Sequence, residues 1–160
     1  MALSARFKKG DVEAYFKKKM ALIDKAIVDR LIVLGEKCVA EARELNTYKD
    51  QSGNLRSSIG YVVVRNGVAV SMSGFEKAAP WGEYKGNDFD NGEAGRGLAT
   101  SLSSSPKYAS GYALVVVAGM NYAAYVEANG YDVLDSTEKL AERELPRMLR
   151  ELKSNIKRMK

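Results

Sequence analysis

Asn66-Gly67 sits between two short stretches of mainly β-branched and apolar residues, Ser57 to Arg65 and Val68 to Met72. Asn-Gly suits the two consecutive positive-φ positions of a type I′ turn, whose twist matches that of paired strands. The pair therefore predicts one antiparallel hairpin carrying Ile59, Tyr61, Val63, Val68, Val70 and Met72. A lone hairpin is marginal in water, so a further strand and a covering layer are required. Tyr112 to Ala118 supplies the strand: Tyr112, Leu114 and Val116 alternate with Ala113, Val115 and Val117, and both of its faces have buried character. Gly119 ends it. A short helix over Tyr122 to Val126 follows, capped by Asn121 and left through Asn129-Gly130.

The covering layer comes from the ends of the chain. From Asp11 to about Asn46, Phe16, Met20, Ile23, Ile27, Leu31, Leu34, Cys38, Ala42 and Leu45 recur at spacings of three and four. That stripe predicts one long amphipathic helix, or two in tandem, with Asp11 as N-cap and Gly35 marking a bend or a close approach. A second helix is expected from Ser136 to about Lys157, with Ala141, Leu145, Met148, Leu149, Leu152, Ile156 and Met159 forming an apolar stripe. Asp135 and Glu138 fit a capping box at its start, and Pro146 predicts a kink or break near Leu145. The class is α+β: a small antiparallel sheet of a hairpin plus at least one further strand, packed against long N- and C-terminal helices. The 160 residues, 46% of them hydrophobic, suit a single domain.

Residues 74–110 break the pattern. This stretch holds six glycines, two prolines, the run Ser103 to Ser105 and the aromatics Phe75, Trp81, Tyr84, Phe89 and Tyr108. So long a loop is functional or disordered, and its aromatics favour a function. It is read as an extended arm inserted between strands, with one helical turn at Leu98 to Leu102 and little order in the isolated subunit. Trp81, Tyr84 and Phe89 would be its partner-binding anchors. Asp88-Phe-Asp-Asn-Gly-Glu lacks the glycine position and twelfth-position glutamate of an EF-hand, and Gly92, Gly95 and Gly97 lack the order of a phosphate loop.

Chemistry is scarce. There is no histidine and one cysteine, Cys38, which removes the usual general base, the commonest metal ligand and any intramolecular disulfide. The best remaining acid–base set, Glu127 with Asp132 or Tyr125, needs a convergence that spacing does not supply. No catalytic, cofactor-binding or metal-binding residue is assigned, and the chain is read as no enzyme. No run is long and apolar enough to span a membrane, and the amino terminus lacks a signal-peptide core, so a cytosolic or assembled-particle protein is expected. The net charge of +5 is concentrated at the ends: residues 1–50 carry 11 basic and 8 acidic side chains, and residues 136–160 carry 8 and 4. Arg143, Arg147, Arg150 and Lys157 recur at helical spacing, which makes a nucleic-acid-binding module on the terminal helices the alternative reading. Aromatics for base stacking are absent from that last helix.

Two segments carry a resemblance. Asp50-Gln-Ser-Gly-Asn-Leu-Arg-Ser-Ser-Ile59, between a long helix and a hairpin, resembles the [ST]-G-x-L-x-x-S-I signature of the HK97 gp10-like tail-component family of tailed bacteriophages. Gly119-Met-Asn-Tyr-Ala-Ala-Tyr-Val-Glu-Ala-Asn-Gly130, at the end of a strand, resembles the family's Tyr-Ala-x-x-Val-Glu-x-Gly run. The resemblance implies a non-enzymatic virion protein of the neck or upper tail, a head-to-tail joining or tail-completion subunit. Its implied partners are further copies of itself in a homo-oligomeric ring, neighbouring neck proteins, portal and tail-tube proteins, with viral DNA passing nearby. Gly53, Leu55, Arg56, Ile59, Tyr122, Ala123, Glu127 and Gly130 are the matched positions. Each has a scaffold role on physical grounds: Ser52-Gly53 as a tight turn, Leu55 and Ile59 as anchors, Glu127 accepting backbone N–H groups or pairing with Arg56.

Overall fold

A computed structural model describes residue 6 and residues 8–45, 47–80 and 82–158. In chain order the elements are α1 (Lys9–Glu44), α2 (Asn54–Ser57), β1 (Ile59–Arg65), β2 (Val68–Ser73), α3 (Glu93–Ser103), a 3-10 turn (Pro106–Tyr108), β3 (Tyr112–Ala118), α4 (Ala123–Ala128) and α5 (Asp135–Arg158). The fold is α+β. The sheet order is β2-β1-β3 with every pairing antiparallel, so the hairpin's first strand is the central one. Asn66 and Gly67 take φ of 51° and 77°, the two positive values that the type I′ turn requires.

Both faces of β1 are buried, and each has its own cover. Ile59, Tyr61 and Val63 point to α1, against Val39 and Ala42. Val62 and Val64 point the other way, against Phe75, Ala99, Val115 and Val117. The second cover is α3. The loop with one helical turn that the sequence suggests at 74–110 is therefore corrected: an eleven-residue helix lies within it, and Ala99 and Ser103 are buried. Sequence periodicity misses α3 because its cover rests on small residues, Gly95, Ala99 and Ser103, rather than on a stripe of large ones. Phe75 likewise folds back beneath Gly60, where a Cβ would stand 2.5 Å from its ring.

Close backbone approach sets this geometry. A Cβ on Gly95 would lie far inside contact distance of the Ser58 carbonyl oxygen, and one on Gly119 would overlap the Gly95 backbone. Gly35 resolves to a close approach: a Cβ there would meet the Tyr61 ring at 2.5 Å, and α1 runs on as one 36-residue helix.

Two expectations about helix caps are corrected, and of the kink or break expected near Leu145 the break is absent. α1 begins at Lys9, with Asp11 in its first turn rather than at its cap. Tyr122, not Asn121, holds the α4 cap position and makes no side-chain cap bond. α5 is unbroken across Pro146, because Leu140, Ala141 and Met148 on both sides of the proline pack against Leu34 and Cys38.

Two alanine substitutions separate packing from propensity within α3. Gly95→Ala is expected to destabilise the protein by about 1–3 kcal/mol through overpacking. Gly97→Ala, whose Cβ would meet nothing within 4 Å, should stabilise it by about 0.4–1 kcal/mol. Urea unfolding of both variants measures the pair.

Candidate functional site

The first resembling segment is a set of polar clamps. Asp50, with its carboxylate buried, accepts from the backbone N–H groups of Leu55 at 3.3 Å and Arg56 at 2.8 Å, which caps the one-turn α2. Gly53 turns the chain at φ 79°, and a Cβ there would stand 2.7 Å from the Ala78 carbonyl oxygen. Leu55 and Ile59 are fully buried, as anchors should be. The polar residues between them reach distant chain. Asn54 donates to the Asp88 carbonyl at 2.6 Å and accepts from the Asp90 N–H at 3.0 Å. The Ser57 hydroxyl accepts from Ala78 N–H at 2.8 Å. The Ser58 hydroxyl accepts from Gly119 and Met120 N–H at 3.1 and 3.2 Å, so the first segment holds the start of the second.

Glu127 is the centre of that second segment. Its carboxylate accepts from the N–H groups of Val133, Leu134 and Asp135 at 3.0–3.2 Å. These are unpaired donors around the start of α5, where a negative charge also meets the positive end of the helix dipole. Asp132 adds bonds from the Ser136 N–H at 3.1 Å and from the Ser136 hydroxyl. The Asp135–Glu138 capping box is thus corrected: Glu127 and Asp132 cap α5, and Asp135 pairs with Lys139 at 2.6 Å. Arg56 pairs with Asp50 at 3.6 Å. The Glu127 and Asp132 carboxylates, the pair considered for acid–base work, are both engaged as caps. Ala123 is buried beside Tyr48, Leu55 and Val133, and Gly130 leaves α4 at φ 82°.

Arg43 escaped sequence reasoning. Its guanidinium donates to four backbone carbonyls: Arg56 at 3.1 Å, Ile59 at 3.2 Å, Glu76 at 3.2 Å, and Gly74. Burial pulls its pKa below the ordinary value, while Glu76 and Glu36 push the other way. One cation thus ties α1 to α2, β1 and the segment after β2. The only sequence signal would have been a cation in the last turn of a helix, where it also suits the dipole.

Of the expected arm anchors, Tyr84 and Phe89 are brought together. Trp81 lies outside the described residues. Tyr84 and Phe89 pack edge to face with centroids 5.7 Å apart, Lys77 lies 4.5 Å from the Phe89 ring centroid, and the Tyr84 hydroxyl donates to Asp88. This surface loop is held down by Asn54.

Around it lies a tyrosine-rich face. Tyr48, Tyr84 and Tyr122 line a cleft of about 260 Å³ with Asp50 and Ser52, and a larger hollow beside it is edged by Tyr125 and Tyr131. Tyr48 is 7% exposed, its hydroxyl has no hydrogen-bond partner, and burial together with the Asp50 charge pushes its pKa up to about 12. Tyr125 is 72% exposed. Tyrosines half in and half out of solvent suit protein contact, since each offers a large apolar ring and a polar tip.

Of the basic helix, Arg143 and Arg147 flank Glu144 at 4.0 and 2.6 Å. Lys37 reaches the same carboxylate at 3.1 Å.

Comparison with protein-family models, with curated proteins and with solved structures gives no match.

Two variants test the clamps. Arg43→Met should destabilise the chain by about 2–4 kcal/mol in urea unfolding, since stranded carbonyls cost about 1–3 kcal/mol each, and Arg43→Lys should recover only part because an ammonium lacks the planar fork. Asn54→Ala should raise trypsin cleavage after Lys77 and Lys85 about tenfold or more, because two lost bonds of about 1 kcal/mol each free the loop to open.

Proposed function

We propose that this chain is a structural subunit of a tailed-bacteriophage virion, a head-to-tail joining or tail-completion protein of the neck that assembles as a homo-oligomeric ring. The observation that carries the reading is the surface. The two segments that resemble the tail-component family are spent on internal clamps, and what they hold outward is apolar and aromatic. From Lys9 to Leu22 every residue of α1 except Lys19 is exposed, including Val12, Tyr15, Phe16, Met20 and Leu22. Large contiguous apolar surface of this kind marks an interface. Tyr122 and Tyr125, on the second segment, add aromatic contact surface at another place.

The neighbours in this reading are the portal or connector and the tail tube, with DNA passing through the ring without specific recognition. Among the described residues no helix is long and apolar enough to cross a membrane.

Purified protein is expected to show a mass of several subunits by light scattering, or to acquire it on addition of portal or tail-tube protein, and to co-purify with one of them. A chain that stays monomeric at high concentration and binds neither sinks the reading. Salt-sensitive binding to duplex or single-stranded DNA by the isolated protein would instead favour the nucleic-acid alternative.

A further inference from the structure

The exposed part of α1 and a groove elsewhere on the same chain are complementary. The overhang covers the fourteen residues from Lys9 to Leu22, a length of about 20 Å at 1.5 Å per residue. Val12, Phe16 and Met20, spaced by four, form one stripe along it, and Phe16 and Met20 are 62% and 63% exposed. Tyr15 packs edge to face on Phe16 with centroids 6.1 Å apart, which stiffens the tip. The groove lies where α1 and α5 part and β3 shows between them. It has a volume of about 450 Å³ and aliphatic walls, among them Ile27, Leu31, Leu114, Val116, Leu145 and Leu149.

The overhang cannot fill its own groove. Ile27 and Leu31, which wall the groove, belong to the same continuous helix as Phe16 and Met20. The occupant therefore has to come from another molecule, and a second copy presents a suitable one: an amphipathic helix with anchors at i, i+4 and i+8, the pattern by which helices seat in apolar grooves. Tyr15, Phe16 and Met20 are each more than half exposed, so the overhang carries a substantial apolar and aromatic area that docking removes from water. Charge agrees with the fit. The overhang and its approach carry Lys8, Lys9, Lys17, Lys18 and Lys19 against Asp11 and Glu13, while exposed Glu138 and Glu142, with Lys153 as the one cation, stand on α5 in helical line with Leu145 and Leu149.

We infer that the α1 overhang of one copy docks in the α1–α5–β3 groove of the next, with Phe16 and Met20 as the buried anchors. The stripe runs on along α1 into the groove wall at Ile27 and Leu31, and the contact closes into a ring when it is made head to tail rather than reciprocally about a two-fold axis. The inference rests on the reading of the chain as a ring-forming subunit and names the contact that makes the ring.

The test uses the full-length chain. Phe16→Asp combined with Met20→Asp, and separately Leu149→Asp in the groove, should each weaken self-association by about 30-fold or more. Helical circular dichroism should be unchanged, because all three residues are exposed. Cys38 is fully buried, so introduced cysteines report cleanly. Copies with Phe16→Cys mixed with copies with Leu149→Cys should form a disulfide-linked heterodimer under mild oxidant. A mixture of Phe16→Cys with Thr100→Cys, at an exposed position of α3, should not. No cross-linking above that control, or wild-type mass in both aspartate variants, overturns the docking. Cross-linking and loss of mass in a protein that ignores portal and tail-tube proteins leaves the docking standing and removes the neck assignment.

Discussion

The structure depends on a three-stranded sheet whose central strand is buried on both faces. A sheet this narrow has no core of its own, so β1 is stable only while α1 covers Ile59, Tyr61 and Val63 and α3 covers Val62 and Val64. That demand explains the course of the chain. The segment between β2 and β3 has to leave the hairpin, pass under Gly60 with Phe75 and lay α3 across the far face before β3 can pair with β1. Glycines at 60, 95 and 119 stand where backbone or ring comes too close for any side chain.

Directional bonds then fix what apolar packing leaves loose. Hydrophobic contact alone would let α1, the 76–90 loop and the end of β3 slide over the sheet. Arg43, Asn54, Ser57 and Ser58 bond to carbonyls and N–H groups of those segments and allow only one arrangement. The backbone groups they satisfy sit at element ends and in loops, where no ladder partner exists. Glu127 does the same for the start of α5, which helps to set that helix beside α1 and so shapes the groove between them.

The interior is thus closed and the exterior is not. A monomer gains nothing from fourteen residues of α1 held in solvent with Phe16 and Met20 outward, because a short helix without tertiary packing is marginal in water. An assembly subunit, proposed from that surface and from the resemblance of two segments, accounts for an inner set of polar residues devoted to rigidity and an outer set of exposed aromatics.

The sequence by itself determined whatever depends on local stereochemistry and strong periodicity. Asn66-Gly67 specified the hairpin and its turn, the stripe from Ile23 to Ala42 specified α1, and alternation from Tyr112 to Ala118 specified β3. Gly53, Leu55, Ile59 and the acceptor role of Glu127 were also legible, because each follows from a residue's own chemistry at a turn, strand or helix start. Only the tertiary structure decided what depends on distant partners. The α3 helix packs through Gly95, Ala99 and Ser103, which read as loop residues until the sheet's second face is there to receive them. Arg43 reads as one more surface cation until four carbonyls converge on it. The stripe of α1 reads as core or interface along its whole length, and only the structure divides it: its first four turns project past the sheet, because a helix of 36 residues is longer than strands of six or seven residues can cover.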